Sequence, residues 1–475
     1  MEKQNDKYKW RALVAIAIGT FMGPLDGSIV NITLPHISSS LGADMATVEW
    51  VVMSYLLVIS SLLLTYGRLG DMYGHKKVYI TGFFVFTLGS LFCGLSPNIW
   101  ALISFRAVQA LGAGMMMAIG PALITSIFPP QERGKVLGIM GSTVASALAF
   151  GPALGGILVD FFGWRSIFFI NLPIGVIAIY GAVTVLRPTQ ALKDQRFDIP
   201  GALTLFLTLI TFLLSASHGQ QWGWSSPVVI GLFLTSLVML ISFIWVESRV
   251  PQPMIDLKLF KIRMFSMANI SSLISFMAHF SIIFILPFYL NEVRKLEPSG
   301  AGLLMTASPL IILFVAPMSG ALSDRIGSRL LASMGLGIVS TALLFMSTIK
   351  VDTPLVQISL YLAVLGLGLG LFQSPNNSAI MGSVPRNRLG IASSTLASMR
   401  NIGMVIGIAL AGAIFTSRQP VYLENLKAAS SSINLNSLAF TYAMHDVFLA
   451  GAILSAVGVL TSLTRGKTAE TANNS

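Results

Sequence analysis

The sequence predicts an all-α polytopic membrane protein, and three observations carry that prediction. Of the 475 residues, 54% are apolar and 10% charged, where a soluble chain carries about 25% charge. Mean hydropathy is +0.78. Apolar stretches recur at lengths close to the ~20 residues that a helix needs to cross a bilayer. The 43 Gly and 21 Pro are spread through those stretches, as is usual for membrane helices, and the ten-residue alternation of a transmembrane barrel is missing. The one cysteine, Cys93, lies inside an apolar run, so neither a disulfide framework nor a cysteine metal site can be built and a small core residue is expected.

Taken in order, the charge-poor stretches are 12–34, 50–67, 78–96, 99–123, 136–158, 166–186, 199–217, 227–246, 264–290, 300–322, 331–349, 354–376, 389–416 and 446–464, which gives 14 spans. The largely polar first ten residues lead into an apolar run without a small-residue cleavage site, so a first membrane helix is expected rather than a removable leader. Residues 199–246 hold no Asp, Glu, Lys or Arg and are over twice as long as one crossing requires. The turn residues and tryptophans of 218–227 are expected to divide them into spans seven and eight.

An even number of spans puts both termini on one side. Of the 30 Lys and Arg residues, 22 fall on that side, six on the other (Arg165, Arg294, Lys295, Lys350, Arg418 and Lys427), and Arg106 and Arg400 lie inside spans. By the positive-inside rule both termini are expected in the cytoplasm, with the chain multi-pass in the cell membrane. The same asymmetry accounts for the net charge of +11 and the pI near 9.8, so nucleic acid is not an expected partner.

A weak repeat divides the chain further. Gly67-Arg-Leu-Gly-Asp71-Met-Tyr-Gly74 follows span two, and Gly320-Ala-Leu-Ser-Asp324-Arg325-Ile-Gly327 follows span ten, each expected in a short loop with basic residues after it. Aligning the two makes the first six spans match the last six. The expected units are 1–186, a two-helix insert with flanking loops over 187–263, and 264–475, a 6+2+6 arrangement. Halves that bind substrate between them near the midplane are the plan of many secondary transporters.

Five motifs in order then resemble those of the major facilitator superfamily, and within it the 14-helix drug:proton antiporter family. The Gly67–Lys77 loop is similar to the superfamily's signature loop. Leu25-Asp26-Gly-Ser-Ile-Val-Asn31-Ile-Thr-Leu-Pro35 resembles the family's first-helix motif, and Leu102-Ile-Ser-Phe-Arg106-Ala-Val-Gln109-Ala-Leu-Gly112 its fourth-helix arginine motif. Gly151-Pro152-Ala-Leu-Gly155-Gly156 resembles the fifth-helix motif of antiporters, and Trp164–Gly175 the start of helix six. The resemblance covers nearly the whole chain and implies a major facilitator fold and proton coupling through Arg106. Ala110 and Ala147 stand where the pattern usually has Gly, and Gly27-Ser28 departs from it after Asp26. Span ten holds no acid of the kind that some dication exporters carry there, which argues against dications as substrates.

The candidate functional residues follow from cost. An acid in mid-span is expensive, about 2.5–3.5 kcal/mol on insertion scales, so Asp26 is expected to face an interior cavity. Burial favours the neutral form of a carboxyl, which a reversible proton carrier requires. Arg106 cannot deprotonate and must find an acid, carbonyls or water. Asp26 is therefore the candidate proton carrier, Arg106 shares the proton-coupling role as the resemblance implies, and Asp26, Asn31, Met116 and His279 are the candidate substrate cavity, with Met115–Met117 as a soft wall. Asp71, Arg68, Arg133, Asp324 and Arg325 are candidates for a breakable charge latch at the membrane edge. Gly151, Pro152, Gly155 and Gly156 allow close helix approach and a kink, while Gly366–Gly370 and Gly403–Gly407 are read as packing. Arg400 is read as structural, and Glu49 beside Trp50 as a solvated interfacial acid, with a second titrating site as the alternative.

No nucleotide loop, metal motif or nucleophile elbow is present, the histidines lack ligand spacing, and no cofactor or enzyme activity is expected. The functional expectation is a monomeric, proton-coupled exporter of lipophilic, often cationic, small molecules, a multidrug efflux antiporter of the kind that gives antibiotic resistance. The alternative is a dedicated exporter of one metabolite, amino acid, lipid or antibiotic. The expected partners are that small-molecule substrate, protons and the lipid bilayer; the need for an adaptor protein is not legible.

Overall fold

The computed structural model describes residues 2–188, 198–250, 257–385, 388–429 and 434–466. Every regular element among them is helical, and fourteen stretches are long and apolar enough to cross a membrane. In chain order the helices are α1 Glu2–Leu41, α2 Trp50–Tyr73, α3 His75–Leu95, α4 Ile99–Ile127, α5 Pro130–Phe162, α6 Asn171–Val185, α7 Ile199–Trp222 and α8 Pro227–Arg249. There follow α9 Arg263–Phe288, then α10, made of Pro298–Met305 and, after a break at Thr306, Ala307–Ile326. The last four are α11 Ser328–Met346, α12 Leu355–Gly382, α13 Leu389–Ala429 and α14 Leu435–Leu463. Several outrun the apolar spans: α1 is 40 and α13 is 41 residues long, because polar flanks that a membrane would not hold still satisfy their backbone groups by staying helical.

The packing shows why the sequence repeats. In the first six helices α3 packs on α4, α2 on α4, α1 on α5, α3 on α6, and α1 on both α4 and α6. The same pairs recur eight helices later: α11 on α12, α10 on α12, α9 on α13, α11 on α14, and α9 on α12 and α14. The sets are joined chiefly by α5 with α10 and α2 with α13, which exchange under the same offset, and α1 also meets α9 and the start of α10. The repeated G-x-L-x-D-x-x-G segments have matching geometry. Each ends in a glycine at positive φ, +90° at Gly74 and +88° at Gly327, where a side chain would be strained. The two segments are not loops, as the sequence led one to expect. Asp71 is in the last turn of α2 and Asp324 in that of α10, and a single glycine joins each helix to the next.

The break expected in 218–227 falls at Gly223, with φ +86°, and Ser226 caps α8 by accepting from the Val229 amide. Thr204, Thr208, Thr211 and Ser215 donate to carbonyls three or four residues back in α7, at 2.7 Å each. Helix α8 packs on α7 and exposes most of its apolar side chains. Helix α7 itself lies against both α2 and α13, so it sits on one of the two main joints between the six-helix sets rather than wholly outside them.

Candidate functional site

Asp26 and Arg106 meet in the interior of the first six helices. Helix α1 runs unbroken through Gly23 and Pro24 to Asp26, and α4 brings Arg106 across from it. Both side chains are fully buried, and Arg106 Nη1 lies 2.5 Å from Asp26 Oδ2. The same nitrogen donates to Gln109 Oε1 at 2.6 Å, and Arg106 Nε donates to the Val51 carbonyl on α2 at 3.0 Å. Asp26 Oδ1 accepts from Gln109 Nε2 at 2.9 Å and from Asn171 Nδ2 at 2.8 Å. Those two amides also donate to Ser90 Oγ on α3, at 2.5 and 3.1 Å. The ring of Tyr55 lies 4.0 Å from the guanidinium carbon, a favourable face for a desolvated cation. Five helices thus contribute to one network. A carboxylate and a guanidinium buried together are tolerable because nearly every polar atom has a partner; Arg106 Nη2 is the one left without.

Of this group the sequence marks Asp26 and Arg106 directly. Gln109 and Asn171 sit within its motifs, at the same helical face as Arg106 and at the start of α6. Ser90 and Tyr55 carried no signal, being an ordinary serine and an ordinary aromatic in apolar helices.

The remaining candidates are not gathered there. Asn31 turns its amide onto its own helix, donating to the Gly27 carbonyl at 2.9 Å, and its Oδ1 is unpartnered. Met116 is buried and packs against Gly82 of α3, whereas its neighbour Met117 faces Gly23 on α1. His279 on α9 has an unpartnered Nδ1 and meets Phe280 edge-on with ring centroids 5.8 Å apart. Arg400 stacks on Phe276 of α9 at 4.8 Å. Arg325 is exposed, and the side chains of Arg68, Asp71, Arg133 and Asp324 lie outside the described residues. Arg465, counted with the basic flanks, is buried instead and donates to Asn376 Oδ1.

Glu49 corrects another expectation. It is wholly buried and neither carboxylate oxygen has a hydrogen-bond partner, because α13 and α7 cover the start of α2.

The Gly151–Gly156 segment does bring helices together, on two sides. Gly151 meets Ser28 and Gly155 meets Ile29 and Ile32, all on α1, while Gly156 abuts the Pro298 carbonyl and Gly302 abuts the Pro152 carbonyl between α5 and α10. Asp160 Oδ2 caps the contact, accepting from the Ser299 amide at 2.9 Å. Gly366 against Ser308, Gly403 against Leu273 and Gly407 against Met277 are close backbone approaches of the same kind. Among the described residues no group of His, Cys, Asp and Glu could hold a metal ion.

Two quasi-equivalent six-helix sets, the first holding a buried acid–arginine pair, are an architecture of membrane transporters. The Major Facilitator Superfamily profile matches residues 16–248, 199–408 and 268–469, and the chain belongs to that superfamily. Its motifs and relatives are those of the 14-helix drug:proton antiporter family. It is 37% identical over 450 residues, 94% of this chain and 97% of the relative, to a protein of Clostridioides difficile described as the riboflavin transporter RibZ. It is 30% identical to the multidrug transporter protein MdtP of Bacillus subtilis, over 91% of this chain and 82% of that one. The crystal structure of a bacterial homologue of the human lysosomal transporter Spinster superposes with a TM-score of 0.65 at 13% identity, covering 96% of this chain and 97% of that one, a likeness of fold.

Proposed function

We propose that the chain is a proton-coupled antiporter that exports lipophilic, often cationic, small molecules by alternating access, as a monomer in the cell membrane with both termini in the cytoplasm. The observation that carries this reading is the buried Asp26–Arg106 pair. Protonation of Asp26 removes the charge that holds Arg106 Nη1, and leaves the guanidinium to Val51 O and Gln109 Oε1. Asp26 and Val51 lie on different helices, so a change in that pairing is a change in how α1, α2 and α4 are held together. An inward proton is worth about 2.3 kcal/mol per 100 mV and roughly 1.4 kcal/mol per pH unit, enough to drive a lipophilic compound outward.

The domain reading goes with it: residues 1–186 and 264–475 rock as two halves, and 187–263 is an insert whose α7 bridges them. The α5–α10 contact around Gly156 and Gly302 is the pivot. Asp71, Arg68, Arg133, Asp324 and Arg325 form the latch on the terminal side, where an exposed salt bridge of modest strength is easily broken. Asn31 and His279, each with an unsatisfied polar atom in the bundle interior, are offered to substrate.

A dedicated exporter of one metabolite is the second reading, favoured by the RibZ relative and by Arg400 stacked on Phe276, a pair suited to a flat, acceptor-rich ring. Proton release in inside-out vesicles separates the two. Multidrug efflux predicts release on adding several unrelated lipophilic cations, and dedicated export predicts release with a single planar compound such as riboflavin. No release with either class would reject proton-coupled export.

A further inference from the structure

The two main joints between the six-helix sets differ in one group. At the α5–α10 joint backbone meets backbone. At the α2–α13 joint stands Glu49, with no exposed surface and no hydrogen-bond partner for either oxygen. Gly412 of α13 is packed so closely on the carboxylate that any Cβ there would overlap Oε2. Ser217 of α7 lies beside it. A cavity of about 160 Å³ lies one helical turn further toward the end of the bundle away from the termini. It is lined by Asp44, Met45, Phe288, Glu292, Phe415 and Gln419, from both sets of helices. Met45, in its floor, accepts the Glu49 amide at 3.2 Å, and Phe415 is one turn after Gly412.

From this geometry we infer that Glu49 is a second proton-binding site, separate from Asp26, whose protonation closes the α2–α13 joint. The closed slot offers no cation and, apart from the neighbouring Ser217 hydroxyl, no donor, so it favours the neutral carboxyl over the carboxylate. Among the described residues the charge that acts on Glu49 is that of Asp44, of the same sign. The other titratable groups on the packed elements are otherwise engaged or directed. Arg106 on α4 is held by Asp26, Arg418 on α13 lies 3.3 Å from Asp446, His218 on α7 interacts with Asp44, and Glu292 lines the cavity above. Loss of the proton into that cavity leaves a charge that water must reach, and only separation of α2 from α13 admits water. The joint reports to the first site as well: Val51, whose carbonyl holds Arg106, is two residues along the same helix turn. This inference rests on alternating access but not on the substrate or on Asp26 as carrier.

The test measures the joint directly, without substrate. Cysteines replacing Ser39 and Asn425, both exposed, one on each side of the joint, are spin-labelled in the full chain carrying Cys93→Ser, in lipid nanodiscs. Inter-label distances are read between pH 5 and pH 9. The expected result is a short distance at low pH and a growing long-distance population as pH rises. Glu49→Gln, a permanent mimic of the neutral acid, should hold the short distance throughout, and Glu49→Asp should keep the transition with a displaced midpoint. Asp26→Asn should leave the transition in place even though transport is lost. If Glu49→Gln does not fold, Gly412→Ala supplies the complementary variant and should populate the long distance even at pH 5. A transition that survives Glu49→Gln unchanged, that vanishes in Asp26→Asn, or that is missing from the wild type overturns the inference, and a Gly412→Ala protein that stays closed at low pH does the same.

Discussion

Asp26 and Glu49 are both acids without access to water, yet their surroundings are opposite. Asp26 has a guanidinium and two side-chain amides arranged around its oxygens, whereas Glu49 has none. The difference teaches that burial alone does not say what an acid does in a membrane protein. In the proposed mechanism, a fully partnered carboxylate inside one set of helices makes its proton compete with an arginine, so protonation is read as a change of partner. An unpartnered one on a joint between two sets makes its proton the condition for closure.

The sharpest way to break this comparison is truncation. Asp26→Ala strands Arg106 in the interior and should destabilise the protein by about 3–5 kcal/mol, read as a large fall in thermal denaturation temperature in detergent. Glu49→Ala strands nothing and should cost less than Asp26→Ala in the same assay. Equal losses would mean that Glu49 has a partner in the folded protein.

A smaller but functional effect is expected at Arg106. Arg106→Lys keeps the charge but cannot serve Val51 O, Asp26 and Gln109 together. Losing one charge-assisted hydrogen bond, worth about 1.5–3 kcal/mol, should lower substrate-driven proton release by roughly tenfold or more with the protein still folded. Gly302→Val tests the other joint, because its side chain would collide with the Pro152 carbonyl. Transport should fall several-fold, with cysteines near Ser299 becoming accessible from the end away from the termini. The mildest expected effect is at the terminal edge. Asp71→Asn should slow turnover while leaving equilibrium substrate affinity within about twofold, since the proposed latch lies far from the substrate and surface salt bridges contribute about 0–1 kcal/mol; a tenfold affinity loss with normal turnover would contradict the latch.

Much of the fold was legible because a bilayer demands it. The fourteen spans came from apolar length, with the turn residues of 218–227 dividing the seventh from the eighth, and the repeat ending in Gly74 and Gly327 pointed to the recurring helix pairs. Helix ends were less legible, since polar flanks such as those of α1 and α13 continue the helix where hydropathy has stopped. At the site, Asp26 and Arg106 stood out because charge is costly in a span. Ser90 and Tyr55 did not, since their role comes only from which helices meet. Glu49 was misread because its neighbours in sequence, Asp44 and Trp50, look interfacial. The residues that bury it, Ser217 and Gly412, are more than 160 positions away.

Proton release on addition of substrate, measured in proteoliposomes with wild-type protein and Asp26→Asn side by side, tests the central claim most directly. The account predicts substrate-dependent release by the wild type and none by Asp26→Asn, with the variant still folded and still able to bind substrate, because the amide keeps shape and hydrogen bonding but carries no exchangeable carboxyl proton. Full release by Asp26→Asn would contradict it and move proton coupling to another group.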